Sequence, residues 1–233
     1  MFGVGVPWWP MRLTGSQGLI LRPLKRADAE KFAEVRVANR DWLQPWDATL
    51  PGVDIRGGAL AGEASGSDEG RYGTELEAAL RKERAAFHSM RRALNAQARR
   101  GVALPFALEV DGSFRGQVTA SSIQWGSISS VQIGYWIDSR LAGRGLMPLA
   151  VAMTVDACFF DLGLHRVEIN IRPENSKSLR VVEKLGFRFE GVRRGYMHIA
   201  GNWADHRSYA LLSDEVPTGL ASAYIRDRGW GQR

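Results

Sequence analysis

The sequence contains a single cysteine, Cys158, so it can form no internal disulfide and no site that needs several thiolates. Its four histidines include no ligand-spaced pair, which leaves metal catalysis without a donor set. Long apolar runs are also missing. The best stretch, 146–160, is interrupted by Pro148 and Asp156 and is too short to span a bilayer. The chain does not open with a basic segment followed by an apolar one, so no signal peptide is expected; the expectation is a cytoplasmic protein with no membrane partner.

What remains is ordinary globular material. The chain has 233 residues, 45% hydrophobic and 24% charged, enough to build one core in a single domain over 1–233. Lys and Arg number 31 against 25 Asp and Glu, a net charge of +6. That sign suits an anionic ligand, but no base-reading motif accompanies it, and sequence-specific nucleic-acid binding is not expected. The basic residues are scattered, apart from Arg91, Arg92, Arg99 and Arg100 on one expected helix.

Alternation of period two predicts strands over 19–24, 104–110, 114–123, 131–138, 165–172, 187–195 and 207–212. Helical spacing predicts helices over 25–39, 74–100, 146–162 and 175–185, with Gly101 stopping the second. Residues 1–18 read as irregular, and 39–46 as a break. Residues 49–73, dense in Gly, Ser, Asp and Ala, read as a long flexible insertion loop, and 214–233 as a C-terminal extension. The class is α/β (α+β): a central mixed, mostly antiparallel twisted sheet of about six to seven strands flanked by helices.

Between the strand ending near Asp138 and the helix opening near Leu146 lie Arg140, Gly143, Arg144 and Gly145. Two glycines there let backbone N–H groups turn toward one point, with the positive end of the helix dipole behind them. Such a loop is an anion cradle. It lacks the third glycine of a dinucleotide fingerprint and the Gly-Lys-Ser/Thr of a P-loop. Read alone, the glycines could equally serve only to turn the chain.

Arg140, Gly143 and Gly145 fill every specified position of the signature Arg or Gln, two residues, Gly, one residue, Gly or Ala. With 165–169, 175–178 and 183–187 following in the same order, the chain resembles the GNAT family of N-acetyltransferases over about residues 19–213. Segments 39–46, 183–187 and 196–203 resemble its RimJ/RimL type, which acetylates ribosomal-protein N-termini, and in particular actinobacterial RimJ-like chains.

The resemblance implies the GNAT fold, acetyl-coenzyme A as cofactor, and direct transfer to a primary amine, foremost the α-amine of an N-terminal Ala or Ser on a protein such as a ribosomal protein. By the same resemblance Gly143, Arg144, Gly145 and Leu146 face the pyrophosphate, Ile137 pairs with the pantetheine arm, Asn175 hydrogen-bonds it, and Ser178 lies near the thiol. Asn39, Trp42, Trp46 and Tyr196 fall in segments that wall the acceptor. Asn175 also reads as an ordinary helix cap, and the tryptophans as anchors for their loop.

Glu168, mid-strand beside the expected cofactor, is the candidate base; a structural ion pair with a neighbouring arginine is the alternative reading. The family's other proton carriers are displaced here. The RimI-type base position holds Asn170, its tyrosine acid corresponds to Val182, and the RimL-type glutamate falls at Met197. Two further functions therefore stay open: acetylation of a small amine, and a coenzyme A-binding ribosome-assembly factor with little catalysis. Monomer and homodimer are equally compatible with the sequence.

Overall fold

The computed structural model describes residues 9–51 and 68–230. In chain order the strands are β1 (Leu13–Thr14), β2 (Leu19–Pro23), β3 (Ala103–Val110), β4 (Ser113–Gln124), β5 (Ser130–Ile137), β6 (Arg166–Ile171), β7 (Arg188–Ile199) and β8 (Asn202–Leu212). The helices are α1 (Ala29–Ala38), α2 (Arg40–Leu43), α3 (Asp68–Arg99), α4 (Leu146–Asp156), α5 (Ser176–Lys184) and α6 (Leu220–Asp227). The strands form one sheet in the order β1-β2-β3-β4-β5-β6-β8-β7. Every neighbouring pair is antiparallel except β5 and β6.

Both faces of the sheet are covered, which is why β3 is buried along nearly its whole length. On one face α4 and α5 pack against Leu108, Val118, Val167 and Ile169. α4 is apolar all round and buried from Leu146 to Val155, as befits a helix with protein on every side. On the other face α1 and α3 close over a cluster of Phe32, Phe87, Phe114 and Trp136. No helix among the described residues is long and apolar enough to cross a membrane.

The fork between β5 and β6 positions the site. These strands pair only through Ser130↔Arg166, Val131↔Val167 and Gln132↔Glu168, and then diverge. Beyond Gln132 no strand among the described residues lies beside β5 on the side facing β6.

Several expected boundaries move. The two-residue β1 lies in the stretch read as irregular and pairs with β2. The break at 39–46 is itself ordered, as α2 followed by a 3-10 turn over Gln44–Trp46. Residues 68–73 of the expected loop open α3, while 52–67 lie outside the described residues. α4 ends at Asp156 and passes into a π turn, Ala157–Asp161. β7 and β8 run on to a tight hairpin at Ala200 and Gly201, both with positive φ as a type I′ turn requires. The C-terminal extension folds as a 3-10 turn, Ser213–Glu215, and α6.

Candidate active site

The loop between β5 and α4 is built around one buried carboxylate. Asp138 accepts the Arg140 backbone N–H at 3.2 Å and its guanidinium at 2.6 Å, with Arg115 at 3.4 Å. Burial alone would raise its pKa, but the Arg140 hydrogen bonds prevail and hold it below the usual carboxylate value. The motif arginine therefore braces the turn.

Asn39 completes the brace. Its Oδ1 accepts the Ser139 N–H at 2.8 Å, and its Nδ2 donates to Val35 O at 2.8 Å and to Asp138 at 3.3 Å. Only 3% exposed, Asn39 ties the end of α1 to the loop and does not face an acceptor, contrary to the sequence expectation.

Gly143 and Gly145 take φ of +80° and +85°, where a side chain would cost about 1 kcal/mol or more. This turn leads Gly143, Arg144 and Gly145 into the start of α4 at Leu146, where the first helical N–H groups have no intrahelical acceptor. Pro148, third in the helix, sacrifices no hydrogen bond there. Behind the loop sits α6. Tyr224 Oη donates to Gly145 O and Arg228 Nη2 to Arg144 O, both at 3.3 Å, and a Cβ on Gly145 would meet Arg228 Nη2 at 2.7 Å. Asp156 of α4 in turn accepts the Leu220 and Ala221 N–H groups at 2.6 and 2.9 Å.

From this loop a cleft of about 880 Å³ runs along the fork, lined by Gly143, Leu146, Ile137, Asn175, Ser178 and Trp42 among others. Because the Asp138 N–H goes to Arg115 O on the β4 side, strand alternation turns the N–H and C=O of Ile137 toward the gap. That carbonyl accepts Trp42 Nε1 at 3.2 Å. Asn175 Oδ1 caps α5 by accepting the Ser178 N–H at 3.1 Å, which leaves its amide N–H groups to donate.

The tryptophans are both anchors and walls. Lys177 Nζ lies 3.6 Å above the Trp42 ring, and the Arg172 guanidinium 5.6 Å above Trp46 while donating to Pro45 O at 3.1 Å. The segment 40–46 thus roofs the cleft that leads from the glycine loop. It is joined to the β7–β8 hairpin by Thr49 N–H to His198 O at 2.9 Å and Ala200 N–H to Asp47 O at 3.0 Å. In this way 39–46 and 196–203, far apart in sequence, meet.

Glu168 does not present a free carboxylate. It accepts Arg166 Nε and Arg193 Nη2, each at 2.8 Å. Arg193 also reaches Tyr196 Oη at 3.0 Å, and Tyr196 Oη lies 3.3 Å from Gln132 Oε1. Both carboxylate oxygens are thus engaged by guanidinium groups, which is the ion-pair reading of Glu168 that the sequence left open beside the base role. Val182 is fully buried in the core and Met197 carries no proton, so neither displaced position supplies an acid or base. Nearby, His206 is buried against Tyr196, with ring centroids 5.7 Å apart, and burial lowers its pKa.

Tyr135 was not among the sequence candidates. It stands on β5 at the fork, its Oη donating to Ser178 O at 3.4 Å, and desolvation raises its pKa above that of an ordinary phenol. Its proton is therefore retained at neutral pH. The available signal was a polar-tipped residue between Ile133 and Ile137 on one strand face.

A glycine loop at a helix start, a forked parallel strand pair and a cleft between them define an acyltransferase for a nucleotide-linked thioester. Residues 18–188 match the acetyltransferase (GNAT) domain, and the chain belongs to that family of enzymes, with its fold. Mycobacterium smegmatis RimJ, solved in complex with CoA-disulfide, is similar at a TM-score of 0.78 and 32% identity, covering 95% of this chain and 96% of that one. The ribosomal protein uS5-alanine N-acetyltransferase of Escherichia coli (strain K12) is 26% identical over 222 residues, 94% of this chain and 100% of that protein. The probable N-acetyltransferase YjcK of Bacillus subtilis (strain 168) is 39% identical over 105 residues, 45% of this chain, and the chain spans 58% of that protein's length.

Proposed function

We propose that the chain transfers an acetyl group from acetyl-coenzyme A directly to the N-terminal α-amine of a protein, with Ala or Ser first, and that the acceptor is a ribosomal protein met in the cytoplasm. The observation that carries this reading is the fork, with the Tyr135 hydroxyl on one side and, on the other, the Glu168 carboxylate held by two guanidinium groups. A protein α-amine has a pKa of about 7.7–8.0 against about 10.4 for lysine, so near pH 7.5 roughly a third of it is already neutral. Lysine is neutral at only about one part in a thousand. The site suits the acceptor that needs least deprotonation.

The residues present fit the coenzyme. Gly143, Arg144, Gly145 and Leu146 would hold the pyrophosphate on their N–H groups, the Ile137 edge would pair with the pantetheine, and the Asn175 amide would donate to it. Acetyl-coenzyme A supplies the activated thioester carbonyl. The chain's part is orientation and proton return: the hydroxyls of Tyr135 and Ser178, both on residues that line the cleft, would donate to the departing thiolate. Trp46, Met197 and Trp203, all more than a third exposed, favour a peptide over an enclosed small amine. End-to-end similarity to a ribosomal-protein acetyltransferase supports the same acceptor.

Short peptides with different first residues, and blocked versions carrying an internal lysine, test this by free-thiol release and peptide mass. Acetylation only of free α-amines is expected. Transfer to lysine alone, or to small amines and no peptide, overturns it.

A further inference from the structure

We infer that the outer face of α3 docks on the phosphate backbone of RNA. The electrostatic case is independent of the acetyl-transfer reading; the choice of RNA over other polyanions rests on the ribosomal-protein acceptor proposed above.

α3 turns Phe87, Met90, Leu94 and Ala98 toward the core. At about 100° per residue, Arg81, Arg92 and Arg99 fall within about 20° of one line on the outer side, with Lys82 and Arg100 about 100° further round. All five are exposed. Arg81 and Arg99 lie roughly 27 Å apart along the axis, a length that spans several phosphates. Glu75 and Glu77 lie in the turns before Arg81 and Lys82, and from Arg84 onward α3 carries no compensating charge. Between Glu83 and Glu109 the sequence has no Asp or Glu. Among the described residues none of these cations makes an ion pair, whereas Arg84 on the flank is held by Glu30 and Glu77. Arg91, at the edge of the face, also has a buried Nε with no partner.

A favourable interaction with the helix dipole would account for Arg99 and Arg100 in the last turn but not for Arg81, Lys82, Arg91 and Arg92. The residues between the cations are Ala85, Ser89, Ala93 and Ala96. Small side chains permit close approach to a sugar–phosphate chain and give a bilayer nothing to bury, so a lipid surface is the poorer fit. No base-reading group accompanies the arginines, and the contact is to backbone without sequence preference. The function of such a surface is to bring the acetyltransferase to an acceptor that RNA already holds.

The test is binding of the full chain to a short RNA hairpin, the matching DNA hairpin and phosphatidylserine vesicles, followed by anisotropy or sedimentation over about 50–200 mM salt. The triple variant Arg92→Gln, Arg99→Gln, Arg100→Gln is expected to lose tenfold or more in RNA affinity, and its log–log salt slope should fall by about two to three. Its melting temperature and its coenzyme A binding should stay as in the wild type. Gly143→Trp, which destroys the coenzyme cradle, is expected to keep RNA binding, so failure of the acetyl-transfer reading and failure of this one are separable. Equal RNA affinity in the triple variant and the wild type overturns the inference. So does tighter binding to DNA or to vesicles than to RNA.

Discussion

Cys158 sits in the π turn that ends α4, entirely buried, and desolvation pushes its pKa up to about 12. Near neutral pH almost none of it is thiolate. Iodoacetamide should leave the native protein unlabelled over a time in which the unfolded chain reacts fully, and Cys158→Ala should keep its turnover. Stoichiometric labelling of the folded chain would show that this helix end opens. Tyr135 presents the opposite case, a residue that lines the cleft. Tyr135→Phe should lower kcat by about 10- to 100-fold while changing coenzyme affinity little, the signature of a lost proton donor. Unchanged kcat would give that proton to water. The fall should persist at every pH up to the limit of assay, because the phenol does not titrate there.

Among the elements, α6 has a role that a short amphipathic segment past the last strand does not announce. It is anchored at its start by Asp156 and at its end by Arg228 and Tyr224 on the glycine loop. Arg228→Ala should raise the KM for acetyl-coenzyme A by about tenfold with kcat nearly intact, since only the uniform binding of the coenzyme is touched. Arg228→Lys should recover part of the loss; an unaltered KM in both variants would leave α6 a purely structural cover. The loop itself was legible because Arg140, Gly143 and Gly145 are close in sequence and their spacing is a local property. Its brace was not: Asn39 and Asp138 are 99 residues apart, and nothing in the 39–46 segment distinguishes a buried clamp from an acceptor wall. Likewise Glu168 shows an alternating strand pattern whether free or paired, and its partner Arg193 is 25 residues away. The sequence places the end of this strand near Gly195, whereas β7 continues to Ile199 across an irregular pairing with β8 between Arg193 and Met197.

For the molecule as a whole, two buried groups contribute to the response to acid with the same sign. His206 has its pKa lowered by desolvation, so the unfolded chain, titrating near 6.5, takes up the proton first. The neutral ring's contribution is complete above that value and is lost as pH falls through the lower folded pKa. Asp138, also lowered, acts with the same sign in a more acidic window, its contribution being lost below about 3.9. Melting temperature should therefore decline in two stages on acidification, and His206→Gln should flatten the first; a wild-type profile level from pH 7 to 5 would contradict the assignment.

The short seam at Ser130, Val131 and Gln132 gives the sheet a further meaning. Structurally the protein is two ribbons of antiparallel chain, one ending at β5 and the other beginning at β6, stitched for three residues and then left apart. An amide-bearing arm lying in the opening would supply donors and acceptors where the polypeptide has stopped supplying its own. With such an arm in place, the last part of the architecture would be lent by a metabolite and returned after each turnover.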